Sequence, residues 1–141
     1  MKPVIAFIFI ILCMHSINSQ NLESFKWKNR LLLVLTSNTK STAFTRQLKI
    51  LETESKGLEE RKLLVFKISP YLEMSSQEHN DYWITDSKVF KKYNSSPEEF
   101  KVILIGLDGG IKLEQNTVLT AKNLFTLIDG MPMRRTEIRK N

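Results

Sequence analysis

Cysteine is almost absent from this chain of 141 residues: the only one, Cys13, lies in an apolar run near the N-terminus. Histidine is nearly as scarce, with only His15 and His79. If the apolar run is removed, no thiol remains for a disulfide, and a Cys/His zinc site is excluded. Because a thiolate is the nucleophile of disulfide exchange, we expect no thiol oxidoreductase or peroxidase activity from the rest of the chain.

Long apolar runs are missing as well. The longest, Val4–Met14, is about half of the ~20 residues that a membrane span needs. Lys2 precedes this run and a small residue, Ser19, follows it, which is the layout of a secretory signal peptide. We therefore predict a signal peptide at residues 1–19 and a mature protein that begins near Gln20. We expect that protein to be secreted or periplasmic and to have no stable membrane span after cleavage.

The length is enough for one modest domain, and neither internal repeats nor low-complexity stretches interrupt it. Residues 20–29 are interpreted as a polar lead-in that Trp27 pins to the core. Residues 30–133 form the predicted domain, and residues 134–141 form a basic C-terminal tail. Cleavage would remove one of the 21 basic residues and none of the 15 acidic ones, so the net charge would fall from +6 to about +5.

Short apolar runs alternate with helical patterns along the predicted domain. Continuous apolar residues predict buried strands at Leu31–Leu35, Leu63–Ile68 and Lys101–Ile105. After the third run, Asp108-Gly109-Gly110 is typical of a hairpin turn, and the alternation in Ile111–Leu113 predicts a returning antiparallel strand. A phosphate-binding loop has two glycines farther apart, followed by Lys and then Ser or Thr, and this turn has neither feature.

Three helices are predicted between and after these strands. The first has caps available within Thr39–Thr42 and stops at Gly57. The second is short and begins at Thr85 or Asp86, after a polar connection that contains Tyr71, Tyr82 and Trp83. The third begins at Thr120, with Gly130 and Pro132 closing it. The order predicts an α/β fold with a mixed central sheet and helices on both faces.

Several of these stretches resemble the domain-of-unknown-function 4174 family. They are Phe100–Leu113 with its Asp-Gly-Gly turn, Leu124–Arg135 with its Met-Pro-Met-Arg-Arg ending, Leu31–Leu35, and Glu60–Val65. The resemblance covers nearly all of the mature chain. In animals the same domain resembles part of certain sushi-repeat and coiled-coil-domain extracellular matrix proteins, where it has been likened to peroxiredoxins. It implies a thioredoxin-like three-layer sandwich and no particular activity.

The segment that would carry redox cysteines in a thioredoxin-like fold is Thr36–Thr42, which has hydroxyls and no sulfur. The proline that precedes the third strand of thioredoxins is also missing, since Phe100 stands nearest and Pro97 lies three residues earlier. Exposed backbone amides at the helix start, together with Ser37, Asn38, Thr39, Lys40 and Ser41, form a candidate anion-binding site. Plain helix capping uses the same residue types and is the alternative.

Two other candidate sites involve a serine hydroxyl and the basic tail. Ser37 or Ser41 with His79 as base would be needed for a serine nucleophile, but one histidine in a polar loop does not establish such a set. The basic tail is a candidate surface for an acidic partner through Arg134 and Arg135, with Arg139 and Lys140 beside them. The competing interpretation is that Arg134 and Arg135 fold back onto carboxylates of the domain. The aromatic residues of the long connection are interpreted either as a binding surface or as a flap over the core.

We therefore expect a secreted or periplasmic, non-redox module that binds an unknown protein or an anionic polymer. No catalytic residue, metal ligand or cofactor is assigned, and nucleic acid is not expected as a partner. The alternative is a hydrolase or transferase that uses the Ser/Thr-rich helix start at residues 37–42. A base or carboxylate within reach of Ser37 or Ser41 would favour that enzyme.

Overall fold

A computed structural model describes residues 21–71, 82–96 and 98–141 of the chain. The predicted signal peptide and His79 lie outside these ranges. No helix in the described ranges combines the length and the apolar character that crossing a membrane requires.

Five strands form one mixed sheet in the order β3-β2-β1-β4-β5. β1 pairs in parallel with β2, which pairs in parallel with β3, whereas β4 runs antiparallel to both β1 and β5. The strands are β1 (Arg30–Thr36), β2 (Leu63–Ile68), β3 (Tyr82–Ile84), β4 (Phe100–Ile105) and β5 (Ile111–Gln115). Four of them confirm the predicted strands, and β3 was not predicted.

Five helices and a short 3-10 turn at Leu22–Phe25 accompany the sheet in the described ranges. They are α1 (Thr42–Thr53), α2 (Ser55–Glu60), α3 (Ser87–Tyr93), α4 (Ala121–Asp129) and α5 (Pro132–Lys140). The side chains of Ser41, Asp86 and Thr120 each accept a hydrogen bond from a backbone amide at the start of α1, α3 and α4. These are the predicted caps, which provide acceptors for amides that have no partner inside the helix.

The sheet separates two apolar cores because successive side chains of a strand point to opposite faces. Leu32 and Val34 of β1 pack on one face with α1 and α4, whereas Leu31, Leu33 and Leu35 pack on the other face with α3 and the 3-10 turn. All five side chains are buried. Burial on both sides explains why β1 reads as an uninterrupted apolar run, and the mixed sheet with helices on both faces is confirmed.

The predicted stop of the first helix at Gly57 is wrong. α1 ends at Thr53, α2 begins two residues later, and Gly57 lies inside α2. The reason is a close approach to α4: a Cβ on Gly57 would lie 2.7 Å from Cζ of Phe125. Glycine is therefore present here because the Phe125 ring packs against the helix backbone.

Two further expectations about the ends of the domain are wrong. Trp27 does not pin the lead-in to the core, because it is 62% exposed; Leu22 and Phe25 of the 3-10 turn pack there instead. Residues 134–140, expected to be a basic tail, belong to α5, which starts at Pro132. Proline suits that first position because a helix leaves its first amides unpaired.

Strand β3 contains two of the three aromatic residues that were interpreted as either a binding surface or a flap over the core. Tyr82 stacks on the Phe66 ring with centroids 4.8 Å apart, and the ring of Trp83 lies 5.9 Å from that of Phe44. Both residues therefore pack at the edge of the sheet as parts of β3. Tyr71 precedes the undescribed stretch and is 71% exposed.

Candidate functional site

The segment predicted to bind a ligand, residues 37–41, connects the C-terminal end of β1 to the start of α1. The backbone amide of Ser37 donates to the carbonyl oxygen of Glu99 at 3.0 Å, which holds the entry to β4 beside this connection. In open α/β sheets, ligands commonly bind at the carboxyl ends of the strands. The segment thus lies at the end of the sheet where a ligand is most often found in such folds.

Most polar groups of this segment bond to one another. The buried Thr36 hydroxyl donates to the carbonyl oxygen of Asn38 at 2.8 Å and accepts from its amide at 3.0 Å. The Asn38 side-chain oxygen accepts from the amide of Lys40 at 3.0 Å, and the Ser41 hydroxyl accepts from the amide of Phe44 at 3.3 Å. These contacts are turn and helix caps. Ligand binding through Ser37, Asn38, Thr39, Lys40 and Ser41 stays a prediction.

Two carboxylates, those of Glu98 and Glu99, lie beside the 37–41 segment. The sequence analysis did not place them there. Glu98 and Glu99 line an open depression with Lys40, Ser41 and Asn116, among others. The Asn38 side-chain amide donates to Oε1 of Glu99 at 3.3 Å. One ammonium and two carboxylates give the depression mixed charge, so its electrostatics do not simply favour an anion. The antiparallel pairing of β1 with β4 creates this arrangement, and no sequence signal pointed to it.

The serine-nucleophile alternative gains no partner from the described residues. Neither Ser37 nor Ser41 has a hydrogen bond to a carboxylate among them, and the Ser41 hydroxyl is used as the α1 cap. His79, the base that this alternative needs, lies outside the described ranges. Within the same ranges, no group of three or more histidine, cysteine, aspartate or glutamate side chains is arranged to hold a metal ion.

Arg134 and Arg135 are neighbours in sequence but occupy different environments. The Arg134 side chain is 4% exposed, with Nη2 2.7 Å from Oε1 of Glu60 and Nε 3.3 Å from Oδ1 of Asp129. Its Nη1 lies 3.4 Å from Oε2 of Glu137. Arg135 is exposed. Arg134 therefore adopts the competing, structural arrangement, and anion binding stays a prediction for Arg135.

The contacts of Arg134 belong to a network of alternating charges, which we call the arginine network. It contains three guanidinium groups and three carboxylates: Arg30, Arg61, Arg134, Glu60, Asp129 and Glu137. Arg61 contacts Oδ2 of Asp129 at 2.7 Å, and Arg30, itself buried, contacts Oε2 of Glu137 at 3.3 Å. Sequence reasoning missed the network because its members come from five separate elements and turns.

The network shifts the ionisation of its own members. Burial opposes ionisation of Asp129, but the hydrogen bonds from Arg61 and Arg134 outweigh it and lower the pKa of this carboxyl below its usual 3.8. Burial likewise opposes the charge on Arg134, yet hydrogen bonds to Asp129, Glu137 and Glu60 raise its pKa. Both shifts favour the charged forms of Asp129 and Arg134.

The predicted binding residues do not form one site. The arginine network lies at the start of β1, where Arg30 is the first residue, and the 37–41 segment follows its end. Seven residues of strand separate the two ends, which is about 20 Å at ~3.3 Å per residue. Lys40 and the arginines of α5 therefore cannot contact the same small ligand.

Comparison with solved structures defines the class of fold. The chain superimposes on reduced 2-Cys peroxiredoxin of Plasmodium vivax with a TM-score of 0.61 and 15% identity, covering 85% of each chain. It superimposes on Plasmodium yoelii Prx1a with a TM-score of 0.62 and 15% identity, covering 85% of this chain and 82% of that one. For StoA of Bacillus subtilis the values are 0.52 and 13%, with 70% and 81% covered. The fold is thioredoxin-like.

The chain belongs to the family described as domain of unknown function DUF4174, whose model matches residues 21–137. Among curated proteins it is similar to coiled-coil domain-containing protein 80 of Danio rerio, with 26% identity over 133 aligned residues. That match covers 83% of this chain but only 15% of the zebrafish protein. The resemblance inferred from the sequence motifs is confirmed.

Proposed function

We propose that this protein is a secreted, non-redox thioredoxin-like domain that functions by binding an anionic partner. The observation that carries the proposal is the β1–α1 junction, where Thr36 and Ser41 supply capping hydroxyls and no residue supplies a thiol. A serine or threonine hydroxyl does not replace a thiolate near neutral pH without a base. Among the described residues, neither hydroxyl forms a hydrogen bond with a carboxylate or imidazole that could act as this base, and this favours binding over catalysis.

The charge distribution supports an anionic partner. Among the basic residues that the structure describes, Arg30, Arg61, Lys101, Lys112 and Arg134 pair with carboxylates of the domain. Arg135 is exposed and has no ion pair within the described part of the chain. Lys40 is also exposed and unpaired there, with Glu98 and Glu99 lining the same depression. Unpaired surface ammonium and guanidinium groups attract anions over roughly a Debye length, ~10 Å at 0.1 M salt. The partner class we propose is an anionic polymer or an acidic protein surface.

The non-redox part of the proposal is tested by two activity assays. The full chain and its Cys13→Ser variant, which removes the only thiol, are compared in insulin reduction and peroxide consumption. We expect both to match buffer, with a genuine peroxiredoxin as positive control. Turnover by the full chain that the variant loses would assign thiol chemistry to Cys13 and overturn this part of the proposal. Turnover that both retain after repurification would overturn it as well.

The binding part is tested by retention on immobilised heparin across a salt gradient. We expect the protein to be retained at low salt and to elute as salt screens the charges. Lys40→Ala and Arg135→Ala should each elute earlier, whereas the control variant Lys112→Ala, whose ammonium already pairs with Asp108, should elute with wild type. Flow-through of the wild type at low salt would contradict anion binding. Identical elution of all variants would contradict the assignment to these residues.

The secreted location is tested by N-terminal sequencing of the protein purified from the cells that naturally produce it. We expect a start near Gln20 in an exported fraction, because the 4–14 apolar run and Ser19 have the layout of a cleaved signal. A cytosolic product that retains Met1 would contradict export.

A further inference from the structure

A cavity of about 340 Å³ opens between the 3-10 turn, the end of α3 and the β4–β5 hairpin. Its floor includes Leu31 and Ile105, which belong to the core on the α3 face of the sheet. Leu31 stands at the start of β1, so the cavity lies away from the 37–41 segment and is a separate place in the molecule. Small-molecule sites are concave and combine apolar walls with a few polar groups, and their volumes begin near 300 Å³.

Two lysines supply the charge of this cavity. Nζ of Lys92 lies 5.2 Å from the centroid of the Tyr93 ring, and Nζ of Lys26 lies 5.8 Å from that of the Trp27 ring. Neither ammonium forms an ion pair within the described part of the chain. Glu23 is the one carboxylate among the lining residues, so the lining keeps a net positive charge. Asn21 and Asn29 add amide groups that suit hydroxyl or anionic oxygen atoms.

The backbone around Lys26 is held in an unusual conformation. Trp27 has φ 65°, a left-handed value that strains a bulky residue, and its amide donates to the carbonyl oxygen of Leu107 at 2.7 Å. Opposite it, Gly109 has φ 78°, and a Cβ there would lie 3.4 Å from Cδ of Lys26. The Lys26 stem thus lies across the hairpin at a position that glycine leaves open. Strain of this kind tends to be retained where a site needs a fixed geometry.

We propose that this cavity binds a small organic anion, a carboxylate or sulfate group carried on a body of one or two rings. Lys26 and Lys92 pair with the anionic group, and the apolar floor takes the ring. A free small molecule and a terminal unit of an acidic polysaccharide share this chemistry. The inference rests on the proposed binding function and deepens it by naming a second site and its ligand class.

The lysines of α3 provide a matched pair of variants. Lys91 and Lys92 both lie in the last turn of the helix, where cations stabilise the helix C-terminus, but only Lys92 lines the cavity. Lys26 and Lys28 form a second pair, since Lys28 is exposed and does not line it. A structural role of the charge would affect both members of a pair, whereas ligand binding would affect only Lys26 and Lys92.

Trp27 is a natural reporter, since it stands beside Lys26 and is exposed. In the Trp83→Phe variant, Trp27 is the only tryptophan, so the fluorescence signal comes from the cavity side. Thermal melting checks that each variant folds. In that background the protein is titrated with benzoate, glucuronate and inorganic sulfate. We expect saturable binding of at least one organic anion, weakened about tenfold by Lys92→Gln or Lys26→Gln and unchanged by Lys91→Gln or Lys28→Gln.

The three probes distinguish the sources of the ligand and the ways in which the proposal fails. Preference for glucuronate indicates a saccharide unit, and preference for benzoate indicates a free aromatic acid. The proposal is overturned if no organic anion saturates, if sulfate binds as tightly as both organic anions, or if Lys91→Gln weakens binding as much as Lys92→Gln. Because the cavity is separate from Lys40 and Arg135, heparin retention of the wild type together with no saturable binding of an organic anion would leave the proposed function standing while the cavity assignment fails.

Discussion

Nη2 of Arg134 lies 2.7 Å from Oε1 of Glu60, although 74 residues separate the two in the chain. The same guanidinium donates from Nη1 to the backbone oxygen of Glu60 at 3.1 Å. These bonds attach α5 to the end of α2, next to the turn that leads into β2. Arg134, which the sequence places in a basic tail, therefore connects α5 to the end of α2.

We predict that Arg134→Met lowers the free energy of unfolding by about 2–3 kcal/mol. The reason is that Asp129 and Glu137 would lose a partner in a partly desolvated place, even though methionine fills much of the same volume. Urea denaturation measures the change. The matched variant Arg135→Met alters the neighbouring exposed residue and should stay within about 0.5 kcal/mol of wild type. Equal losses from the two variants would contradict the internal role of Arg134.

Acid should weaken the arginine network through Asp129, because the folded state lowers the pKa of this carboxyl below its usual 3.8. A carboxyl of this kind stabilises the fold fully above its unfolded pKa, and the stabilisation is lost as pH falls through the folded pKa. We expect no contribution to a pH slope between pH 7 and 5. Below about pH 4, the stability gap between wild type and Asp129→Asn should narrow. Unfolding curves at several pH values measure this gap, and a constant gap down to acid unfolding would refute the prediction.

Gln47 should be one of the most sensitive polar positions in the domain. It is fully buried on α1, and its side chain donates to the carbonyl oxygen of Leu119 at 3.1 Å and accepts from the amide of Leu119 at 2.7 Å. Gln47→Met has a similar shape but leaves both backbone groups without a partner. We expect a loss of about 2–4 kcal/mol in the free energy of unfolding, measured with denaturant.

A glutamine at the end of β5 serves as the control for Gln47. Gln115 donates from its side chain to the carbonyl oxygen of Thr117 at 2.9 Å, in an exposed environment. Water can replace that bond, so Gln115→Met should change stability by less than about 1 kcal/mol. If both glutamine variants lost the same stability, the buried pairing with Leu119 would not be the cause.

Gly57 should resist the substitution that usually stabilises a helix. Gly→Ala inside a helix gains about 0.5–1 kcal/mol from backbone entropy. Here the new Cβ would lie 2.7 Å from Cζ of Phe125, so the ring must move. We expect Gly57→Ala to lower the melting temperature in wild type but to be neutral or stabilising in a Phe125→Leu background. If Gly57→Ala raised the melting temperature in both backgrounds, the Phe125 ring would be able to move without destabilising the fold.

The predictable part of the fold follows from local signals. Leu31–Leu35 is apolar without interruption, so a strand buried on both faces could be recognised from the sequence, and so could the caps at Ser41 and Thr120. β3 was missed because three residues at a sheet edge carry no usable period. The sequence predicts a helix stop at Gly57 because glycine is common where a chain reverses, but glycine also allows a close approach of another group, which here is the Phe125 ring.

The candidate sites were less predictable because they depend on distant pairings. The hydroxyls of residues 37–41 were recognised, but Glu99 comes beside them only through the β1–β4 pairing. Arg134 and Arg135 look alike in the sequence, and which of them turns inward follows from the docking of α5. Lys26 and Lys92 gave no signal at all, because the cavity between them forms only when the 3-10 turn, α3 and the hairpin pack together.

By itself the sequence determined the thioredoxin-like order of strands and helices, the absence of a thiol after Cys13, and an excess of positive charge. These properties are encoded locally, by apolar period, capping residues and composition. Tertiary structure alone decided which charges are internal and which are available, since burial and pairing depend on neighbours far away in the chain. The pairing of Arg134 with Glu60, and the position of Lys26 and Lys92 at one cavity, are consequences of packing that no local pattern records.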